Sequence, residues 1–178
     1  VNEQARKRRI LVVDDAEAIH KDFRRILCPE PIGARDALAQ LEDALFGPAP
    51  SRQTPSTAVF ELDSAYQGQE GLARVQEALD AGRPYALAFL DYRMPPGWNG
   101  FETLRHLRQV APSLPVVLCS AYSDYSWQEI AHEFGGPHLL AELRKPFNTQ
   151  ELNRLALTLT GATLPGEGRG ATPAPGRG

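Results

Sequence analysis

A few residues of this chain pair a chemically competent type with a telling place. Asp14 and Asp15 stand together after the apolar run Ile10-Leu11-Val12-Val13, and Asp91 closes the run from Tyr85 to Leu90. Ser120 ends the run from Val116 to Cys119, and Lys145-Pro146 comes shortly after Leu139-Leu140-Ala141. Adjacent carboxylates repel when ionised, and a divalent cation is the usual reason they persist side by side. An oxygen-only set with no His or Cys close in sequence suits magnesium best. A carboxylate that has attacked phosphorus leaves phosphoryl oxygens in need of donors, which a hydroxyl and an ammonium supply. Taken singly, the same residues have simpler readings. The aspartate pair favours a helix start, Asp91 can be a loop residue, Ser120 can bond its own backbone, and Lys145 can be solvated.

The surrounding pattern says how they would be brought together. The four apolar runs are short and nearly continuous, as in strands covered on both faces, while the more mixed Ala58 to Asp63 suits an edge strand. Each is followed by helical spacing. The periodic residues are Ile19, Phe23, Ile26 and Leu27; Leu72, Val75 and Leu79; Phe101, Leu104, Leu107 and Ala111; Trp127, Ile130, Ala131 and Phe134; and Leu152, Leu155, Ala156 and Leu159. Asn148 with Glu151 forms a capping-box pattern, and Gly161 is a natural stop for the last helix. Five βα units predict a parallel sheet with helices on both faces, and such sheets gather their chemistry at the carboxyl ends of the strands. All five candidate residues fall at those ends.

Composition removes other classes. A formal net charge of −3 with 23% charged residues offers no basic field for nucleic acid. Cys28 and Cys119 form no CxxC pair, which argues against a disulfide scaffold or a zinc module, and Cys119 reads as a small buried residue. No apolar stretch approaches the ~20 residues that span a bilayer, and Val1 to Arg9 lacks the apolar core of a signal peptide, so a cytoplasmic protein without membrane contact is expected. His20, His106, His132 and His138 show no ligand spacing and are read as structural or solvated, with His20 and His106 on polar helix faces. Trp98 and Trp127 read as packing residues. The Gly- and Pro-rich residues 161–178 read as a flexible tail.

The motifs Val12-Val13-Asp14-Asp15, Leu90-Asp91-Tyr92-Arg93-Met94-Pro95 with Asn99-Gly100, Leu118-Cys119-Ser120-Ala121 and Lys145-Pro146-Phe147 resemble the receiver domain of bacterial two-component response regulators. Each motif is weak alone, but four in the right order at the right strand ends are specific. The resemblance implies a flavodoxin-like, doubly wound five-stranded sheet in the order 2-1-3-4-5. It also implies a receiver domain over residues 1–160 that is phosphorylated on Asp91 by a histidine kinase or phosphotransfer protein. Magnesium would be held by Asp15, Asp91 and the main-chain carbonyl of Arg93, with Asp14 acting mainly through water. Ser120 would bind a phosphoryl oxygen and Lys145 would pair with the phosphate. Such a domain promotes only its own phosphorylation and dephosphorylation, and a homodimer is among the partners it allows.

Four features depart from the pattern. Residues 29–57 form an insertion between the first helix and the second strand, with an extra helix expected near 34–46 from Leu38, Leu41 and Leu45. The loop Pro95 to Gly100 is one residue longer than usual, and Glu142 stands where the family commonly carries a Tyr or Phe switch. No output domain is expected after the domain, and the insertion and Ser123 to Trp127 resemble a subtype associated with multidomain sensor kinases. Two other classes compete. A haloacid-dehalogenase-like phosphotransferase needs an acid two residues past its nucleophile, where this chain has Arg93. A receiver-like adaptor that is never phosphorylated finds its best support in Glu142.

Overall fold

The structure is a computed structural model that describes residues 7–29, 60–121, 127–134 and 139–161. The expected helix near 34–46, most of the 29–57 insertion, Tyr122 and all of the tail beyond Gly161 lie outside the described residues. The elements alternate as β1 (Arg8–Val13), α1 (Glu17–Leu27), β2 (Phe60–Ala65), α2 (Gly68–Asp80) and β3 (Leu87–Asp91). They continue as α3 (Gly100–Val110), β4 (Val116–Ser120), α4 (Trp127–Phe134), β5 (Leu140–Arg144) and α5 (Thr149–Thr160). The strands form one parallel five-stranded sheet in the order β2-β1-β3-β4-β5, as the resemblance implied. Among the described residues no helix is long and apolar enough to cross a membrane.

Because side chains alternate along a strand, the central runs feed two separate cores. Leu11, Val13, Ala88, Leu90, Val116 and Leu118 face α2, α3 and α4 with Val75, Leu104, Leu107 and Ile130. Ile10, Val12, Leu87, Phe89, Val117 and Cys119 face α1 and α5 with Phe23, Leu27, Leu152 and Ala156. Phe23 anchors this second layer, edge-on to Phe89 at 4.8 Å and to Phe147 at 5.4 Å, and burying such a ring stabilises by roughly 2–3 kcal/mol. α2 and α3 approach closely because Gly68 has no side chain, since a Cβ there would meet Thr103 Oγ1 at 2.1 Å. The last helix starts with the Asn148 side chain accepting from Glu151 N and stops at Gly161, whose φ of 63° only glycine adopts without strain.

Three local expectations move. β2 runs on to Ala65, past the expected end at Asp63, because its register against β1 runs Arg8↔Phe60 to Val13↔Ala65 and carries both strands to a common end. β5 extends from Leu140 to Arg144, past the apolar triplet, because Glu142 is paired opposite Leu118 within the ladder and interrupts only the hydrophobicity. Leu79 was expected on the buried face of α2 but is 41% exposed, since the helix turns Ala78 inward instead.

Candidate functional site

Each candidate side chain is delivered by the end of a strand. Asp14 follows β1 and its N–H donates to Ala65 O at 3.0 Å, which continues the β1–β2 ladder by one more bond. Asp91 is the last residue of β3, and the chain beyond it is held by Tyr92 N donating to Cys119 O (2.9 Å) and Gly100 N donating to Tyr92 O (2.7 Å). Gly100 is required there: a Cβ would lie 2.7 Å from Asp91 O and 2.8 Å from Tyr92 Cα. Asn99 then starts α3 with a full capping box, its side chain accepting from Glu102 N while Glu102 accepts from Asn99 N. Lys145 follows β5, its N–H donating to Ser120 O at 2.8 Å.

The carboxylates of Asp14, Asp15 and Asp91 each offer an oxygen to a cluster within 4.8 Å, with Asp14 and Asp91 buried and Asp15 exposed. Lys145 Nζ bridges the two buried ones, donating to Asp14 Oδ2 at 3.0 Å and Asp91 Oδ1 at 3.1 Å. Burial and the neighbouring Asp14 push the Asp91 carboxyl up to about 6, Lys145 offsets only part of this, and Asp15 adds to it. For Lys145 burial works to lower its proton affinity, but Asp91 and Asp14 outweigh that and hold it above the usual lysine value. Three hard oxygen donors and one shared ammonium leave the cluster short of positive charge, which fits a small divalent cation. Arg93 is exposed two residues past Asp91.

Ser120 is buried at the end of β4, beside the cluster in the strand order. Its hydroxyl donates to Glu142 Oε1 at 3.5 Å, and the same oxygen pairs with Arg144 Nε at 3.2 Å. Cys119 is fully in the core, and burial raises its thiol far above the ordinary range, so it is no nucleophile. Trp127 packs against the first core, and Trp98 packs by stacking on His106 at 4.0 Å.

His20 is the larger correction. Expected on a polar helix face, it is buried, with Nε2 bonded to Asp14 O at 2.7 Å and its ring 4.6 Å from Tyr66. The signal was present: residues 20, 23 and 27 share one face of α1, and His20 takes the place of an apolar residue beside Phe23 and Leu27.

Among the comparisons with known proteins, a family profile described as the response regulator receiver domain matches residues 52–156, more than half of the chain. The chain belongs to the response regulator receiver domain family. The matched stretch holds Asp91, Ser120 and Lys145. Asp14 and Asp15 precede it, and β1 carries them beside the central strand β3 of the sheet. Among solved structures, the chain is similar to a CheY-like receiver domain protein from Methanospirillum hungatei, at 21% identity and a TM-score of 0.58, covering 86% of this chain and 94% of that one. It is similar to the receiver domain of NtrX from Brucella abortus, at 22% identity and a TM-score of 0.56, covering 86% and 99%. The CheX–CheY complex with BeF3 and Mg from Borrelia burgdorferi gives 15% identity and a TM-score of 0.58, covering 85% and 88%. At these identities the likeness is one of receiver fold. None of the curated proteins matches the chain.

Proposed function

We propose that this receiver domain, spanning residues 1–160 with an insertion over 29–57, is a cytoplasmic phosphoacceptor that takes a phosphoryl group onto Asp91 from a histidine kinase or phosphotransfer protein. The observation that supports this most is the convergence of Asp14, Asp15 and Asp91 within 4.8 Å around one Lys145 ammonium. Asp15, Asp91 and the main-chain carbonyl of Arg93 would hold magnesium, and Asp14 would act mainly through water. Magnesium there would neutralise the carboxylates and the incoming phosphoryl oxygens.

The protein's own groups do the rest. Lys145 keeps one oxygen of Asp91 hydrogen-bonded, and the other attacks phosphorus as the bond to the donor's imidazole nitrogen breaks and that nitrogen takes a proton. In the acyl phosphate formed, Lys145 moves its hydrogen bonds to a phosphoryl oxygen and Ser120 donates to another. To do so Ser120 releases Glu142, so the Glu142–Arg144 pair on the edge strand takes the role that an aromatic switch has elsewhere. The alternative adaptor reading rests on that same pair, and the choice between them is experimental. With acetyl phosphate and magnesium the wild-type chain is expected to gain one phosphoryl group by mass and Asp91→Asn none. Labelling that persists in Asp91→Asn would remove Asp91 from the role, and an unlabelled wild type that also ignores beryllofluoride would favour the adaptor.

A further inference from the structure

We propose that His20 is a positioning residue for the acidic cluster, setting the peptide that carries Asp14 and Asp15 through a hydrogen bond to the Asp14 carbonyl. The inference rests on the reading of this cluster as a magnesium site, and it names a residue outside it.

At Asp14 every polar atom has a partner. Its N–H donates to Ala65 O, Oδ1 accepts from Ala16 N at 2.8 Å, Oδ2 accepts from Lys145 Nζ, and the carbonyl accepts from His20 Nε2. The first three bonds fix one edge of the residue and its side chain. The carbonyl fixes the plane of the Asp14–Asp15 peptide, and with it the direction in which Asp15 leaves the strand. That carbonyl lies between the end of the sheet ladder and the start of α1, whose first internal bond in this turn is Ile19 N to Ala16 O. Neither the sheet nor the helix supplies it with a donor, and a buried carbonyl without one is costly. His20 meets the need from inside the helix, one turn on.

The His20 ring is itself held. It is 3% exposed, shares the buried face of α1 with Phe23 and Leu27, and is covered by the Tyr66 ring at the end of β2. Its Nδ1 is buried with no partner among the described residues, while Nε2 bonds the Asp14 carbonyl and must carry the proton to donate to it. The bond ties β1, α1 and the end of β2 together at the point where two of the three carboxylates leave the backbone. Partners of this kind, one layer behind the ligands, commonly set metal affinity about 10–100-fold.

The test compares two side chains of similar reach. His20→Gln places an amide donor where Nε2 sits, and His20→Met fills the space with none. Magnesium titration by calorimetry, with thermal midpoints and metal-free amide spectra alongside, is expected to show His20→Met weakened about tenfold and His20→Gln within about twofold of wild type. The Asp14 and Asp15 amide resonances should shift in the Met variant before any metal is added. Equal magnesium affinity in all three proteins, or equal loss in both variants, would overturn the proposal. Should His20→Met fail to fold, nitrogen spectra of wild-type His20 decide: a proton on Nε2 supports the proposal and one on Nδ1 overturns it. A wild type that binds no magnesium would overturn the reading of the cluster, while the Asp14 shifts and the tautomer would still decide the role of His20.

Discussion

Two carboxylates of this domain are each paired with a cation, and they respond in opposite ways. Asp63 on β2 accepts from the Tyr85 hydroxyl at 2.7 Å and from Arg9 at 2.6 Å, while the Arg9 guanidinium also covers the Tyr85 ring at 4.5 Å. Burial works to raise the Asp63 carboxyl, but Tyr85 and Arg9 together outweigh it and hold the group below the usual carboxylate value. Asp91 has an ammonium at a comparable distance and is nonetheless pushed up to about 6, because burial is compounded by Asp14 and Asp15 while Lys145 is shared. The difference lies in the count of charges and donors around each group. Asp63 sits in a closed pair that needs nothing more; the Asp91 cluster is left short of positive charge, which a divalent cation would supply.

Removing the cation from each cluster should separate them most. Lys145→Met leaves Asp14 and Asp91 buried without compensation, and urea unfolding at pH 7 without metal is expected to show a loss of about 2–3 kcal/mol. That loss should shrink toward pH 5 as Asp91 takes up a proton. A loss that does not vary with pH would mean the lysine is held by packing alone.

Next in size is Asp63→Asn, expected to cost about 1.5 kcal/mol at pH 7 after allowance for its partial exposure. The sign follows from a lowered folded value: the wild-type advantage is present above the ordinary 3.8 and disappears as the pH falls through the lower folded value.

Asp91→Asn should act in the other direction. A raised carboxyl makes the metal-free wild type lose stability as the pH rises from 3.8 to about 6, so the variant is expected to be about 1 kcal/mol more stable at pH 8 and no different below pH 3.8. Millimolar magnesium should raise the thermal midpoint of wild type and leave the variant where it was. Destabilisation by Asp91→Asn at pH 8 would show that the two clusters are alike after all. The smallest effect belongs to Glu142→Tyr, for which a stability change below about 0.5 kcal/mol is expected, since its partner Arg144 is exposed. The informative readout there is dimerisation or partner binding with and without beryllofluoride, which should depend on activation in wild type.

The fold was legible where apolar runs are continuous, because a strand covered on both faces leaves little choice of register or element. It was less so at the sheet edges, where Glu142 inside β5 and the mixed β2 dilute the pattern. The candidate site was legible for a related reason: strand ends in a parallel sheet converge, so Asp14, Asp91 and Lys145 could be gathered from sequence before any distance was known. His20 was not, since a polar residue on an apolar face is visible as periodicity but its partner is a backbone carbonyl, and carbonyls carry no residue type. The Asp63–Tyr85–Arg9 cluster was missed because its members come from β1, β2 and the turn before β3, with no motif joining them.

The thiol of Cys28, just past α1, donates to the carbonyl of Phe60, the first residue of β2, at 3.1 Å. The two ends of the described chain that flank residues 30–59 therefore meet at one place. In polymer terms, the entropy of joining two ends that must meet anyway grows only as the logarithm of the intervening length, about 0.6 kcal/mol for each doubling. Two ends held together by such a hook can be joined by a longer or shorter stretch at small loop-closure expense while the strand ends that carry the acidic cluster stay where they are.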